Sequence, residues 1–170
     1  MRKGLRALAL AAGVAFAGPA TPETIAHPAV KPIAVVDFDY RDTSGEARDQ
    51  SAEHRARLGA FMAKLRADLS ADPRFPVVSI ACADPPCTAG NTPPQALIDA
   101  ARKAGAHALL YGEIDKMSTL IQWGRVQIVD VAADKLLDDK LLTFRGDTDE
   151  AWLRAEAFIV EELKAGNFAQ

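Results

Sequence analysis

From residue 31 onward the chain alternates between apolar runs and stripes at helical spacing. Lys31–Tyr40 (KPIAVVDFDY) opens on Ile33, Ala34, Val35 and Val36, then alternates Phe38 and Tyr40 with aspartates, the pattern of a buried strand. Arg41–Gln50 is polar and holds Gly45, which predicts a loop. Leu58, Phe61, Met62, Leu65 and Leu69 recur at i, i+3, i+4, i+7 and i+11. They form one stripe of an amphipathic helix that Asp72-Pro73 stops, with His54 on its polar side. Phe75–Ile80 is a short strand. Thr92-Pro93-Pro94-Gln95 starts the next helix, with Thr92 as cap, Pro93 in the first position and Gln95 closing a capping box. Leu97, Ile98, Ala101 and Ala104 supply its buried stripe, and Gly105 ends it.

Ala106–Ile114 and Leu120–Val131 are strands, the second with a bulge expected at Gly124, where the apolar parity shifts. Ala133-Asp134 turns the chain into a last strand, Leu136–Phe144. Asp147-Thr148-Asp149-Glu150 caps a final helix with Ala151, Trp152, Ala155, Phe158, Ile159 and Leu163 on one face. The predicted order is β-α-β-α-β-β-β-α. It describes a single α/β domain of the α+β type, a mixed sheet of about five strands with three helices packed on it.

The first 26 residues change the picture of where this domain folds. Arg2, Lys3 and Arg6 form a positive region, and Leu5–Phe16 is an apolar core too short to span a bilayer. Small residues offer cleavage after Ala17, Ala20 or Ala26, and Gly18, Pro19 and Pro22 break any helix. Residues 1–26 read as a cleaved secretory signal and 27–170 as the mature domain, soluble in the periplasm. No cysteine falls in the first thirty residues, so no lipid anchor is expected. The formal net charge is −3, and signal removal takes the domain to about −5. Without a Lys/Arg block, nucleic acid is not an expected partner.

Cys82 and Cys87 are the only cysteines and are separated by Ala83-Asp84-Pro85-Pro86. In an oxidising compartment this pair reads as a short-loop disulfide worth about 2 kcal/mol. Redox pairs favour the CxxC spacing, and with no histidine nearby two thiolates are too few for a metal.

Three segments, DLSADPRFPVVS (68–79), AGAHALLYGEI (104–114) and VQIVDVAADKLL (126–137), resemble the amino-terminal domain of TolB from the Tol–Pal system. They are similar also to related outer-membrane secretion and penicillin-binding-protein activator domains. Asp72-Pro73 stands where Ser-Gly is usual there, His107 where Asp is usual, and Asp134 where Gly is usual. The phrases VVDFDYRDTS, GEIDKMSTLIQWGRVQIVDV and TFRGDTDEAWLRA resemble an exported proteobacterial family known only as a domain of unknown function. The first resemblance implies a TolB-like fold in an envelope setting; the second implies no activity.

Candidate chemistry is sparse. Asp37-Phe38-Asp39 after a buried strand resembles the DxD motif of haloacid-dehalogenase phosphatases, with Asp138-Asp139 as a distal pair. Arg41 departs from that motif, and the distal pair falls in a hairpin. Asp37, Asp39 and Asp42 miss EF-hand spacing, since Arg48 stands at the twelfth position. His27, His54 and His107 lack second ligands at metal spacing, and no nucleophile elbow supports a triad of Ser44, His54 and an aspartate. No catalytic residue, metal site or cofactor is therefore expected.

Lys116, Ser118, Arg145, Asp147 and Asp149, near Trp123 and Trp152, remain as candidates for a binding surface, with Lys116 and Arg145 meeting an anionic group of the partner. The function expected is a non-enzymatic accessory domain of an envelope protein assembly. A small-ligand or metal-handling accessory of a periplasmic oxidoreductase is the second reading, and a divergent DxD hydrolase the third. Mass spectrometry of the periplasmic fraction should find a mature chain beginning between Gly18 and His27; an intact Met1 form there would refute export by this signal.

Overall fold

The computed structural model describes residues 30–83 and 85–166; the signal segment lies outside the described residues. Six strands and three helices follow in the order β1 (Ile33–Val35), β2 (Asp39–Asp42), α1 (Ser51–Ser70), β3 (Val77–Val78), α2 (Pro94–Lys103), β4 (Ala108–Lys116), β5 (Ile121–Asp130), β6 (Lys135–Arg145) and α3 (Asp149–Ala165). They form one mixed α+β domain. The sheet runs β3-β1-β4-β5-β6, with β2 also paired to β4. β1 and β2 lie parallel to β4, whereas β4, β5 and β6 form an antiparallel meander. No helix among the described residues is long and apolar enough to cross a membrane.

The strand expected over Lys31–Tyr40 is broken in two, and its second half runs on to Asp42, inside the predicted loop. Val35 pairs with Leu110 and Asp39 with Glu113, so Val36, Asp37 and Phe38 stand opposite only Tyr111 and Gly112. The extra residue switches the inward parity from Ile33 and Val35 to Phe38 and Tyr40. Phe38 fills the space over Gly112, where a Cβ would come within 2.7 Å of its ring. Gly112 is thus what lets the break happen.

Gly124 is not a bulge. It pairs in continuous register with Ile114 and Leu142, and the shift lies between Ile128 and Val129. Ile121 and Trp123, whose apolar character suggested the parity change, face away from the main core, whereas Gln122, Gly124, Val126 and Ile128 are buried toward it and Val129 is buried on the α2 side. Asp134, where the resemblance called for Gly, adopts φ +51° in the β5–β6 turn, a conformation Asp tolerates better than most side chains. The second helix begins one residue late: Pro93 takes the cap position, and Thr92 makes no cap bond. Val77–Val78 is all that pairs of the strand expected at Phe75–Ile80.

One face of the sheet carries the larger core. α1 buries Phe61, Met62, Leu65 and Leu69 against it, and α3 buries Trp152, Ala155, Ile159 and Leu163. Trp152 is 1% exposed and packs edge-on to Phe61 and Phe144. Phe158, expected in that stripe, is 49% exposed, and Glu156 is buried instead, 3.4 Å from the Lys64 ammonium of α1. Burial pushes the Glu156 carboxyl above its ordinary range.

The opposite face is only half covered. α2 is short and packs Leu97, Ile98 and Ala101 onto Ala34, Val36, Leu109 and Val129. Farther along the meander no described helix lies over Trp123, Arg125 or Thr143. Replacing Trp152 with Ala should cost about 3–5 kcal/mol in urea unfolding, because a large buried ring would leave a cavity between three elements.

Candidate functional site

The polar residues concentrate where β2 and β4 end beneath the amino termini of α1 and α3. β4 delivers Lys116 to the main-core face, where the residue is 0% exposed. Its ammonium meets Glu46 in a direct contact, Asp147 at 3.1 Å and Asp42 at 3.5 Å. These carboxylates come from β2, the loop after it and the turn into α3. Asp147 also accepts from His54 Nε2 at 2.8 Å and from Arg57 at 2.6 Å. Because a carboxylate can only accept, the proton of that contact resides on Nε2. Arg57 reaches Asp149 with its Nε at 2.9 Å.

His54 is therefore not on a solvated side: it is 2% exposed and extends the α1 stripe one turn toward the amino terminus. Its Nδ1 lies 3.8 Å from Asp42, and Tyr40 stacks on its ring at 4.9 Å between centroids. Thr148 caps α3 by accepting from Ala151 N, which frees Asp147 to turn inward.

The charges shift one another in a consistent direction. Burial pushes the Asp147 carboxyl up, but hydrogen bonds from His54 and Lys116 and the charges of His54 and Arg57 outweigh it and hold it low. Glu46 is held low chiefly by its hydrogen bond from Lys116. Asp42 is lowered as well, because Ser44 and Lys116 more than offset its burial. Burial would lower the Lys116 ammonium, yet Glu46 and Asp147 raise it. Among the described residues around this cluster, the Gln122 amide, opposite Lys116 in the register, the Tyr40 hydroxyl and the Trp152 Nε1–H are buried without a hydrogen-bond partner.

Of the sequence candidates, Lys116 and Asp147 join this interior cluster, and Asp149 caps its outer edge through Arg57. The expectation that Lys116 and Arg145 share a surface does not hold geometrically: Arg145 is exposed, on the opposite face, and makes no ion pair with a described residue. Lys116 sits inside because β4 ends under two helices, which its polarity concealed. Ser118 accepts from the backbone N–H groups of Leu120 and Ile121 and so shapes the β4–β5 turn. Cys82 and Cys87 are joined by a disulfide, with Cα atoms 5.7 Å apart. Their loop closes one wall of a cleft of about 770 Å³ whose other walls are β2 and the start of α1. There Asp39 accepts from Gly90 N at 2.8 Å, while Asp37 pairs with Arg66 at 2.7 Å. Asp139 pairs with Arg125 on β5, so the two acidic pairs of the phosphatase reading are held by separate arginines. Among the described residues, no group of three His, Cys, Asp or Glu side chains is placed to hold a metal ion.

Sequence reasoning missed Asp42, Glu46 and Arg57 as cluster members. None of them carried a sequence signal, because their pairing with Lys116 and Asp147 joins elements distant in the chain.

The fold and this interior cluster define a small α+β domain whose polar chemistry is turned inward as structure. The chain belongs to the family described as "Protein of unknown function (DUF2380)", whose model DUF3280 matches residues 31–163. No curated protein matches it. Among solved structures it is similar to the hypothetical protein CT253 from Chlamydia trachomatis, 12% identical over 84% of this chain and 100% of that one, with a TM-score of 0.57. PelC from Paraburkholderia phytofirmans, solved as a dodecamer, is 14% identical over 81% of this chain and 90% of that one, with a TM-score of 0.54. The looser likeness to TolB is present too: the Acinetobacter baumannii protein is 20% identical over 82% of this chain and 30% of its own, with a TM-score of 0.48.

Because Asp42, Glu46 and Asp147 are held below their unfolded values, their stabilisation is complete above the ordinary carboxylate range and is lost as pH falls through the folded values. Lys116→Met should cost about 3 kcal/mol at pH 7, the low end for breaking a buried pair because Asp42 and Glu46 keep some solvent. Urea unfolding should show the gap to the parent protein closing below about pH 4; a gap independent of pH would contradict the ion cluster.

Proposed function

We propose that this protein is an exported, non-enzymatic accessory domain that works in the periplasm by binding a protein partner of an envelope assembly. The observation that carries the reading is the uncovered half of the sheet. Along β5, Ile121, Trp123, Arg125 and Gln127 point away from the main core, opposite Arg145, Thr143, Leu141 and Asp139 of β6. Leu141 is 70% exposed and Ile121 is exposed as well. An aromatic ring, exposed aliphatic side chains and arginines on one rigid face make a chemistry suited to a protein partner.

Arg145 lies on this face at its rim. Lys116, buried beneath β4, and Asp147 then act as its support by fixing the strand ends, while Asp149 sits exposed at the head of α3. The signal at residues 1–26 and the short disulfide loop support an oxidising, extracytoplasmic setting.

Cross-linking in intact cells, followed by capture of the mature chain, tests the reading. An envelope protein should be captured by the parent chain and lost about tenfold or more from the Ile121→Asp, Trp123→Ser double variant. The variant's melting temperature should stay within a few degrees of the parent, because neither side chain is in a core. Capture unchanged by the double substitution would overturn the role of this face, and turnover of a phosphate ester that depends on Asp37 would overturn the non-enzymatic reading.

A further inference from the structure

We infer that the carboxyl-terminal half of β6, with the groove between it and α3, receives an extended peptide segment of a partner protein, one that alternates apolar and acidic side chains. The inference rests on the accessory-domain reading and deepens it by naming the mode of binding. β6 ends the sheet, and no described strand lies beyond it. Every second residue of an antiparallel edge strand turns its N–H and C=O outward, so the eleven residues of β6 offer about five unpaired donor–acceptor sets.

The two halves of this edge differ. Lys135, Asp138, Asp139 and Lys140 charge the first half, a device that discourages pairing. Leu141–Phe144 carries no charge, and it borders a groove of about 460 Å³. The floor of the groove is apolar, built from Leu142 and Phe144 of β6 and Ala151 and Ala155 of α3, with the exposed ring of Phe158 as a side wall. At one end Lys140 is tied to Glu162 at 3.2 Å. Phe158 thus has a place: it left the core stripe to line this groove.

Charge selects the occupant. Arg145 and Arg154 border the groove, both exposed, and neither makes an ion pair with a described residue. Most other arginines nearby are matched, Arg125 with Asp139 and Arg57 with Asp147 and Asp149. A strand added to β6 would place alternate side chains toward α3, where the floor is apolar. Its remaining side chains would meet the Arg145 guanidinium on the other face, which carboxylates satisfy, while Arg154 adds positive charge to the same edge from α3. A second copy of this chain is the poorer fit, since a two-fold seam centred on Leu141–Phe144 would set Arg145 opposite Lys140 of the other copy.

Binding is tested on the mature chain with three fluorescein-labelled decapeptides: alternating Val and Glu, alternating Val and Lys, and the Val/Glu peptide with its three central amides N-methylated. The Val/Glu peptide should bind in the micromolar range, and the other two at least about tenfold more weakly. Arg145→Glu with Arg154→Glu should reverse the preference to the Val/Lys peptide without a change in melting temperature. Absence of binding, equal binding of the Glu and Lys peptides, or tolerance of N-methylation would overturn the inference. So would sedimentation showing a dimer that Leu141→Glu dissociates, because the edge would then belong to a second copy. In-cell capture separates the two claims: a partner held through Trp123 but indifferent to both arginine reversals overturns the groove alone, whereas no captured envelope partner overturns the accessory reading.

Discussion

A lysine ammonium with no exposure must be neutralised where it sits, and Lys116 obtains its counter-charges from three distant parts of the chain. Asp42 ends β2, Glu46 belongs to the loop leading to α1, and Asp147 precedes α3. Burying this one cation therefore fixes the end of the sheet, the path of a loop and the entry of a helix together. His54 and Arg57 bring α1 into the same cluster through Asp147. Isolated surface ion pairs contribute little, but an interior set with each charge shared among several partners specifies one arrangement and penalises the alternatives.

The aromatic packing beneath depends on that arrangement. Tyr40 rests between His54 and Trp152, and Trp152 touches Phe61 and Phe144, so the polar cluster and the main core share a wall. Burial and the neighbouring Asp42 and Asp147 charges raise the Tyr40 hydroxyl, which keeps this wall neutral. The break between β1 and β2 serves the same end. By inserting one residue it turns Tyr40 and Asp42 inward, onto the face where Lys116 waits.

The two faces of the sheet consequently divide the work. One is sealed by α1 and α3. The other is covered by α2 only over β1 and the adjoining ends of β4 and β5, leaving the rest of the meander to solvent. Ionisable groups in the interior cluster of the sealed side compensate one another, and the unpaired Arg145 lies at the margin of the open side. That partition is what supports the proposed binding role, and it puts the candidate residues for it on strands rather than on loops.

The order of elements was legible because each carries its own period: the stripe Phe61, Met62, Leu65, Leu69 needs no partner to be read as helix, nor does Ala108–Leu110 to be read as strand. The disulfide was legible from spacing, and Thr148 from the capping rule. What could not be read was which face each polar residue joined. Parity along β5 was misjudged because Gln122 is buried and Trp123 is not, a choice made by α3 and by Gly124 lying between Ile114 and Leu142. His54 looked solvated and Lys116 looked like a surface charge, because a sequence shows a residue's own polarity and not the charges that will surround it. Local pattern determined the elements; the interior cluster was decided by tertiary structure, since Asp42, Glu46 and Asp147 become neighbours of Lys116 only once β2, β4 and α3 have met.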